Sequence, residues 1–104
     1  MTIAELMVPE LDREMAQTRK ILELVPADKL EWKASEKLNT LGWNANHLAE
    51  IAGWTKFIVD EDVFNIAPPD GPKYETPSLK DPAEILAAFD QNVVSARAAI
   101  EAAS

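Results

Sequence analysis

The apolar positions of this chain repeat at helical intervals in three stretches. In the first, Met7, Leu11, Met15, Thr18, Leu22 and Val25 are spaced by 4, 4, 3, 4 and 3 residues, which draws one stripe along a helix of 3.6 residues per turn. Glu10, Asp12, Glu14, Arg19 and Lys20 fall mostly off that stripe. Thr2 followed by Glu5 reads as a capping box. Pro9 fits either the first turn of a helix starting near Val8 or a kink in one starting at Thr2. Pro26 ends the stretch by pushing Val25 out of the α region, so the predicted helix covers about 2–25.

A polar connection, 26–39, follows and carries Leu30, Trp32 and Leu38. Trp32 is expected to fold back onto the end of the bundle, because an indole buries so much apolar area. The second stretch has two ridges. Leu41, Ala45, Leu48, Ala52, Thr55 and Val59 form one, and Trp43, His47, Ile51, Trp54 and Ile58 the other. Together they predict a helix over about 40–62, capped by Asn39 or Thr40 and flanked by neighbours on two sides. It runs out at Asp60, Glu61 and Asp62, whose carboxylates oppose the negative end of the helix dipole; these are expected to be solvated.

Pro68, Pro69, Pro72 and Pro77, with Gly71, exclude regular structure from the connection 65–81. A connection this long either borders a functional mouth or wraps the domain and packs Tyr74 and Leu79, and wrapping is the plainer reading. Asp81, Pro82 and Glu84 then supply N-cap, N1 and N3 of a third helix over about 82–102. Leu86, Phe89, Val93, Ala96 and Ile100 mark its apolar stripe. No hairpin signal and no sustained alternation appear. The chain therefore reads as a single all-α domain over 1–104.

Charge and composition narrow the function. Eighteen acidic against ten basic residues leave a net charge of −8, the wrong sign for phosphate backbones or anionic lipid. Without cysteine there is no disulfide, thiolate nucleophile or Cys-zinc site. No apolar run reaches membrane-spanning length and Met1–Glu14 lacks the pattern of a signal peptide, so the expected location is the cytoplasm. Three glycines build no phosphate-binding loop.

His47, the single histidine, has the most chemical potential. Asn44 and Glu50 lie three residues to either side of it, and Trp43 and Trp54 share its ridge. An imidazole there suits a metal ligand, a general base or a satisfied packing residue, and packing is the plainest of the three, since one histidine is neither a triad nor a metal cage. Glu50 is the nearest local carboxylate that a metal would also use. Trp43, Asn44 and Trp54 are candidates for the wall of a ligand pocket. A serine triad built on Ser35, Ser78 or Ser95 lacks any elbow sequence. The paired Glu-x-x-His of carboxylate-bridged di-metal bundles is absent, since Asn44 stands three before His47.

Three stretches carry a resemblance to a known family. Residues 24–54, LVPADKLEWKASEKLNTLGWNANHLAEIAGW, contain a Val-Pro turn, a Leu-x-Trp-Lys anchor and a Thr-Leu-Gly start leading into His-Leu-Ala-Glu. The acidic-plus-Phe segment DEDVFNIA follows, and then the helix DPAEILAAFDQNVVSARAAI. In this order they resemble the DinB/YfiT-like family. The resemblance implies a four-helix bundle in an up-down-down-up arrangement, of which this chain carries three long helices. It also implies a divalent metal, zinc or nickel, on three His ligands, with His47 at the first ligand position and the other two on the fourth helix. The chemistry it implies is activation of a small thiol for transfer or isomerisation. Because the chain stops at Ser104, the expectation is an incomplete metal site and a groove where the fourth helix would lie, covered by a second copy in a homodimer. The alternative is a non-catalytic helical module for interaction or small-ligand binding. The residues themselves leave open whether the chain is an enzyme.

Overall fold

In a computed structural model, which describes residues 1–61, 71 and 74–103, the chain is helical, with no strand among the described residues. Helix α1 spans Ile3–Glu23, a single 3-10 turn spans Ala27–Lys29, and α2 (Leu41–Ile51), α3 (Trp54–Asp60) and α4 (Pro82–Ala102) follow. No described helix is long and apolar enough to cross a membrane. Asp62, Pro68, Pro69 and Pro72 lie outside the described residues.

Thr2 starts α1 through the predicted box: its hydroxyl accepts from the Glu5 N–H at 3.1 Å while the Glu5 carboxylate accepts from the Thr2 N–H at 3.4 Å. The helix thus begins before Pro9 and contains it. On α4, Asp81 accepts from the Ala83 N–H at 3.0 Å with Pro82 at the first helical position.

Helix α4 is the element against which α1, α2 and α3 all pack. Its Ile85 and Phe89 are buried with Leu22 of α1, Leu30 of the connection and Ala45 and Ala49 of α2, and Met15, Val25, Leu79, Leu86 and Val93 close the edges. Two bidentate ion pairs join α1 to α4. Arg19 reaches Asp90 at 2.9 and 3.0 Å, and Arg97 reaches Asp12 at 3.1 and 3.2 Å. The partners run in opposite order on the two helices, so α1 and α4 are antiparallel.

The first four N–H groups of α2 have no partner within the helix and must find others. Leu41 donates to the Trp32 carbonyl at 2.8 Å, Gly42 to the Leu30 carbonyl at 2.7 Å, and Trp43 to the Thr40 hydroxyl at 3.0 Å. Asn44 donates to the Thr40 carbonyl at 3.1 Å. Gly42 is required by this docking, because a Cβ there would lie 2.9 Å from the Leu30 carbonyl oxygen. Trp32 serves through its backbone: its ring is 56% exposed, not folded onto the core as its size suggests, and Leu30 is the buried anchor instead.

Two expectations for the second helical stretch change. Periodicity predicts one helix over about 40–62, but the structure interrupts it at Ala52 and Gly53. The cause is a side chain inserted into the hydrogen-bond ladder. Asn92 of α4 donates its amide to the Ala49 carbonyl at 3.0 Å, and the Gly53 N–H turns to the Glu50 carbonyl, 2.9 Å away. The two ridges also do not both face neighbours. The buried stripe is Gly42, Ala45, Asn46, Ala49 and Ala52, whereas Leu48, Ile51, Ile58 and Val59 are 36–65% exposed. Small residues let α4 approach the backbone of α2; the bulky ones are left outside.

A Cβ at Gly53 would sit 2.8 Å from the Asn92 side-chain oxygen and 3.0 Å from its Cγ. Gly53→Ala is expected to destabilise by about 1–3 kcal/mol through this overpacking. Asn92→Ala added to it should recover part of the loss, giving a double-mutant coupling above ~0.5 kcal/mol in urea unfolding. Additive losses would contradict the contact.

Candidate ligand site

The docking of α2 sets Trp43 on its first turn. His47 follows one turn later on the same side, and Trp54 arrives just beyond the tightened turn at Gly53. The fourth wall comes from the segment 74–80, which Asn46 holds. Asn46 is buried, and its amide donates to the Gly42 carbonyl at 2.9 Å and to the Leu79 carbonyl at 3.1 Å. Its side-chain oxygen accepts from the Leu79 N–H at 3.1 Å. One side chain thus pairs with both backbone groups of Leu79, whose own side chain packs on the core, and this brings Tyr74, Glu75 and Thr76 over α2.

The result is an aromatic cluster around His47. The Trp43 ring stacks on the imidazole, with centroids 4.6 Å apart and planes 22° apart. Trp54 meets the imidazole edge-on at 5.7 Å and 74°, and Tyr74 meets Trp54 at 5.2 Å and 90°. Nδ1 of His47 lies 3.2 Å from the Thr76 hydroxyl. These side chains, with Glu75, line an open cleft of about 390 Å³. Burial pushes the Tyr74 hydroxyl above its ordinary pKa, and the negative charge of Glu50 acts in the same direction.

Of the residues that the sequence nominates, His47, Trp43 and Trp54 are brought together. Asn44 is not with them: its amide bonds the Thr40 carbonyl at 2.9 Å and it lines a separate groove beside Trp32, Leu38 and Leu41. Glu50 is half-buried one turn after His47 and acts on Tyr74. Asp60 is paired with Lys56 at 2.6 Å. Of the two readings of the connection, the described part follows the wrapping one, with Leu79 on the core and Tyr74 on Trp54. Sequence reasoning missed Asn46, Tyr74, Glu75 and Thr76 as parts of the site. Asn46 did carry a signal, as the one polar side chain on an otherwise small-residue stripe.

The helical order and this His-bearing second helix define a small helical-bundle protein with a histidine-centred cleft. The chain belongs to the DinB superfamily, whose family model matches residues 10–104. No curated protein and no solved structure matches it.

That family resemblance implies a three-ligand divalent metal, and the donor set tests it. Among the described residues no three His, Cys, Asp or Glu side chains gather. His47 offers one nitrogen, its other being engaged by Thr76. These residues fit a single ligand position and do not fit a complete centre, so no catalytic step through a metal follows from them.

Asn46→Asp keeps the shape but removes the donor to Gly42 and Leu79 and places a charge in a buried site. A loss of about 2–3 kcal/mol in urea unfolding is expected, with a red shift of tryptophan emission as the segment 74–80 leaves Trp54. Stability within ~0.5 kcal/mol of the native chain would contradict the role given to Asn46.

Proposed function

We propose that this chain is a ligand-binding module of the DinB superfamily and that its site is the aromatic cleft at His47. The observation that carries the reading is an aromatic cluster around an open cleft of about 390 Å³, in which Trp43 and Trp54 both meet the His47 imidazole and Tyr74 meets Trp54. Small-molecule sites are of this size, mostly apolar, with a few fixed polar groups. The Thr76 hydroxyl at Nδ1 orients the imidazole and leaves Nε2 as the directional contact for a ligand.

One observation favours a second reading. A metal-binding histidine is commonly held through its other ring nitrogen, and Thr76 holds His47 in that way. On this reading His47 is one ligand of a zinc or nickel ion, Glu50 is the neighbouring carboxylate, and further ligands come from outside the described residues. A divalent ion so bound would lower the pKa of a coordinated thiol, the transfer or isomerisation chemistry that the family resemblance implies.

Ligand titrations followed by tryptophan fluorescence, in a Trp32→Phe background with chelator present, separate the two. The first reading expects saturable binding of small aromatic or amine fragments, weakened about tenfold by His47→Ala through loss of a hydrogen bond of ~1–1.5 kcal/mol. Binding abolished by chelator, together with zinc or nickel affinity in calorimetry that His47→Ala removes, would overturn the first reading in favour of the second.

We also propose that a second copy covers the apolar stripe of Leu48, Ile51, Ile58 and Val59. Contiguous exposed apolar surface marks interaction sites, and a two-fold axis places the same stripe on both partners. Sedimentation equilibrium at tens of micromolar is expected to show dimer, weakened by Ile58→Lys at a position already 65% exposed. A monomer throughout would sink the idea.

A further inference from the structure

The chemistry lining the cleft selects among ligand classes. Trp43, Trp54 and Tyr74 present ring systems whose planes turn by 22°, 74° and 90° along the chain of contacts through His47, so the cleft is walled by aromatic surface in more than one plane. Aromatic faces carry negative quadrupole potential and attract cations, most strongly when desolvated and when the ring is Trp. Among the described lining residues the charged side chain is Glu75, with no Lys or Arg beside it. Glu50, one turn past His47, also acts on Tyr74 with negative charge. The whole chain is acidic, at −8, which adds a long-range field of the same sign.

Accepting that the cleft is the ligand site, we propose that its ligand class is a small organic cation, a quaternary or alkylated ammonium compound, held by the faces of Trp43, Trp54 and Tyr74 with Glu75 supplying the counter-charge. An anion or a thiolate would enter against Glu75 and the rings, with no cationic side chain among the described lining residues to receive it. A neutral aromatic would gain the apolar contact but not the charge term. Nε2 of the imidazole and the Thr76 hydroxyl remain for a hydroxyl or amine elsewhere on the ligand, so the site reads a cationic head with a short polar tail.

Three probes of similar size test this on the full chain: choline, its neutral isostere 3,3-dimethylbutan-1-ol, and benzoate. Tryptophan indole and His47 ring signals in NMR report occupancy of the cleft, and calorimetry gives affinity. Choline is expected to bind about tenfold more tightly than the isostere, and benzoate not to bind. Glu75→Gln, at an exposed position where folding is not at stake, is expected to weaken choline three- to tenfold and leave the isostere unchanged. Isostere or benzoate binding at the cleft as tightly as choline would overturn the cation inference and leave the cleft standing as a ligand site. If no probe shifts the cleft signals in a folded chain at tens of millimolar, both the inference and the reading it rests on fail. Choline binding insensitive to both Glu75→Gln and Trp43→Leu would place the cation elsewhere and also overturn the proposal.

Discussion

The amide of Asn46 holds together what the rest of the molecule only brings near. A side chain buried at that depth must satisfy its donors and acceptor or destabilise the fold by about 1–3 kcal/mol for each that is left bare. Asn46 satisfies them on two different elements, its own helix at Gly42 and the irregular segment at Leu79. A leucine in its place would bury more apolar surface, but the Leu79 N–H and carbonyl would lose these bonds. Specificity of docking, more than depth of core, is what the polar residue contributes. Tyr74 and Thr76, five and three residues before Leu79, take their positions over His47 from that attachment.

The same economy of small residues governs how α4 meets α2. Ala45, Ala49 and Ala52 are small and buried, and Asn92 uses the room at Gly53 to enter the helix ladder. At the interruption the Gly53 and Thr55 N–H groups turn to the carbonyls of Glu50 and Ala52, three residues back, and Asn92 donates to the Ala49 carbonyl. Trp54 opens the helix beyond this tightened turn, and that is how it comes to stand edge-on to the His47 ring while Trp43, on the near side, lies flat on it. A helix of large residues facing α4 would keep the two elements farther apart, and Asn92 would not reach Ala49.

Much of this was legible in the sequence, and what was not has physical reasons. The caps at Thr2, Thr40 and Asp81 depend on local geometry within four residues, and each forms. The α4 stripe is also local, and Phe89, Ala96 and Ile100 are buried as their spacing predicts. On α2, by contrast, hydrophobicity pointed to the wrong side. Periodicity weighs Leu48 and Ile51 above Ala and Gly, but the buried face was decided by how closely a partner helix can come, which favours the smallest side chains. The break at Gly53 depends on Asn92, 39 positions away, and Asn46 on Leu79, 33 positions away. No window along the chain contains both members of either pair. His47, Trp43 and Trp54 were legible as a group because one helical face carries them; Tyr74, Glu75 and Thr76 were not, because only a tertiary hydrogen bond delivers them.

The setting of His47 limits the chemistry open to it. Trp43 covers one face, the Trp54 edge approaches another side, and Thr76 occupies Nδ1, so the ring is fixed in orientation and a single nitrogen is left to act. With Nδ1 on the Thr76 hydroxyl and no carboxylate or second imidazole bonded to the ring among the described residues, the remaining nitrogen can orient or recognise a partner, but a proton relay through it needs a further group within hydrogen-bond reach. The two carboxylates nearby, Glu50 and Glu75, are on neighbouring turns and the rim, and no hydrogen bond joins either to the imidazole among the described contacts. This setting supports the proposed reading of the cleft as a recognition site. Any catalysis in this family frame must draw its additional groups from a ligand, a metal with further donors, or another chain entering the cleft, and the orientation of His47 by Thr76 is already set for such a partner to use.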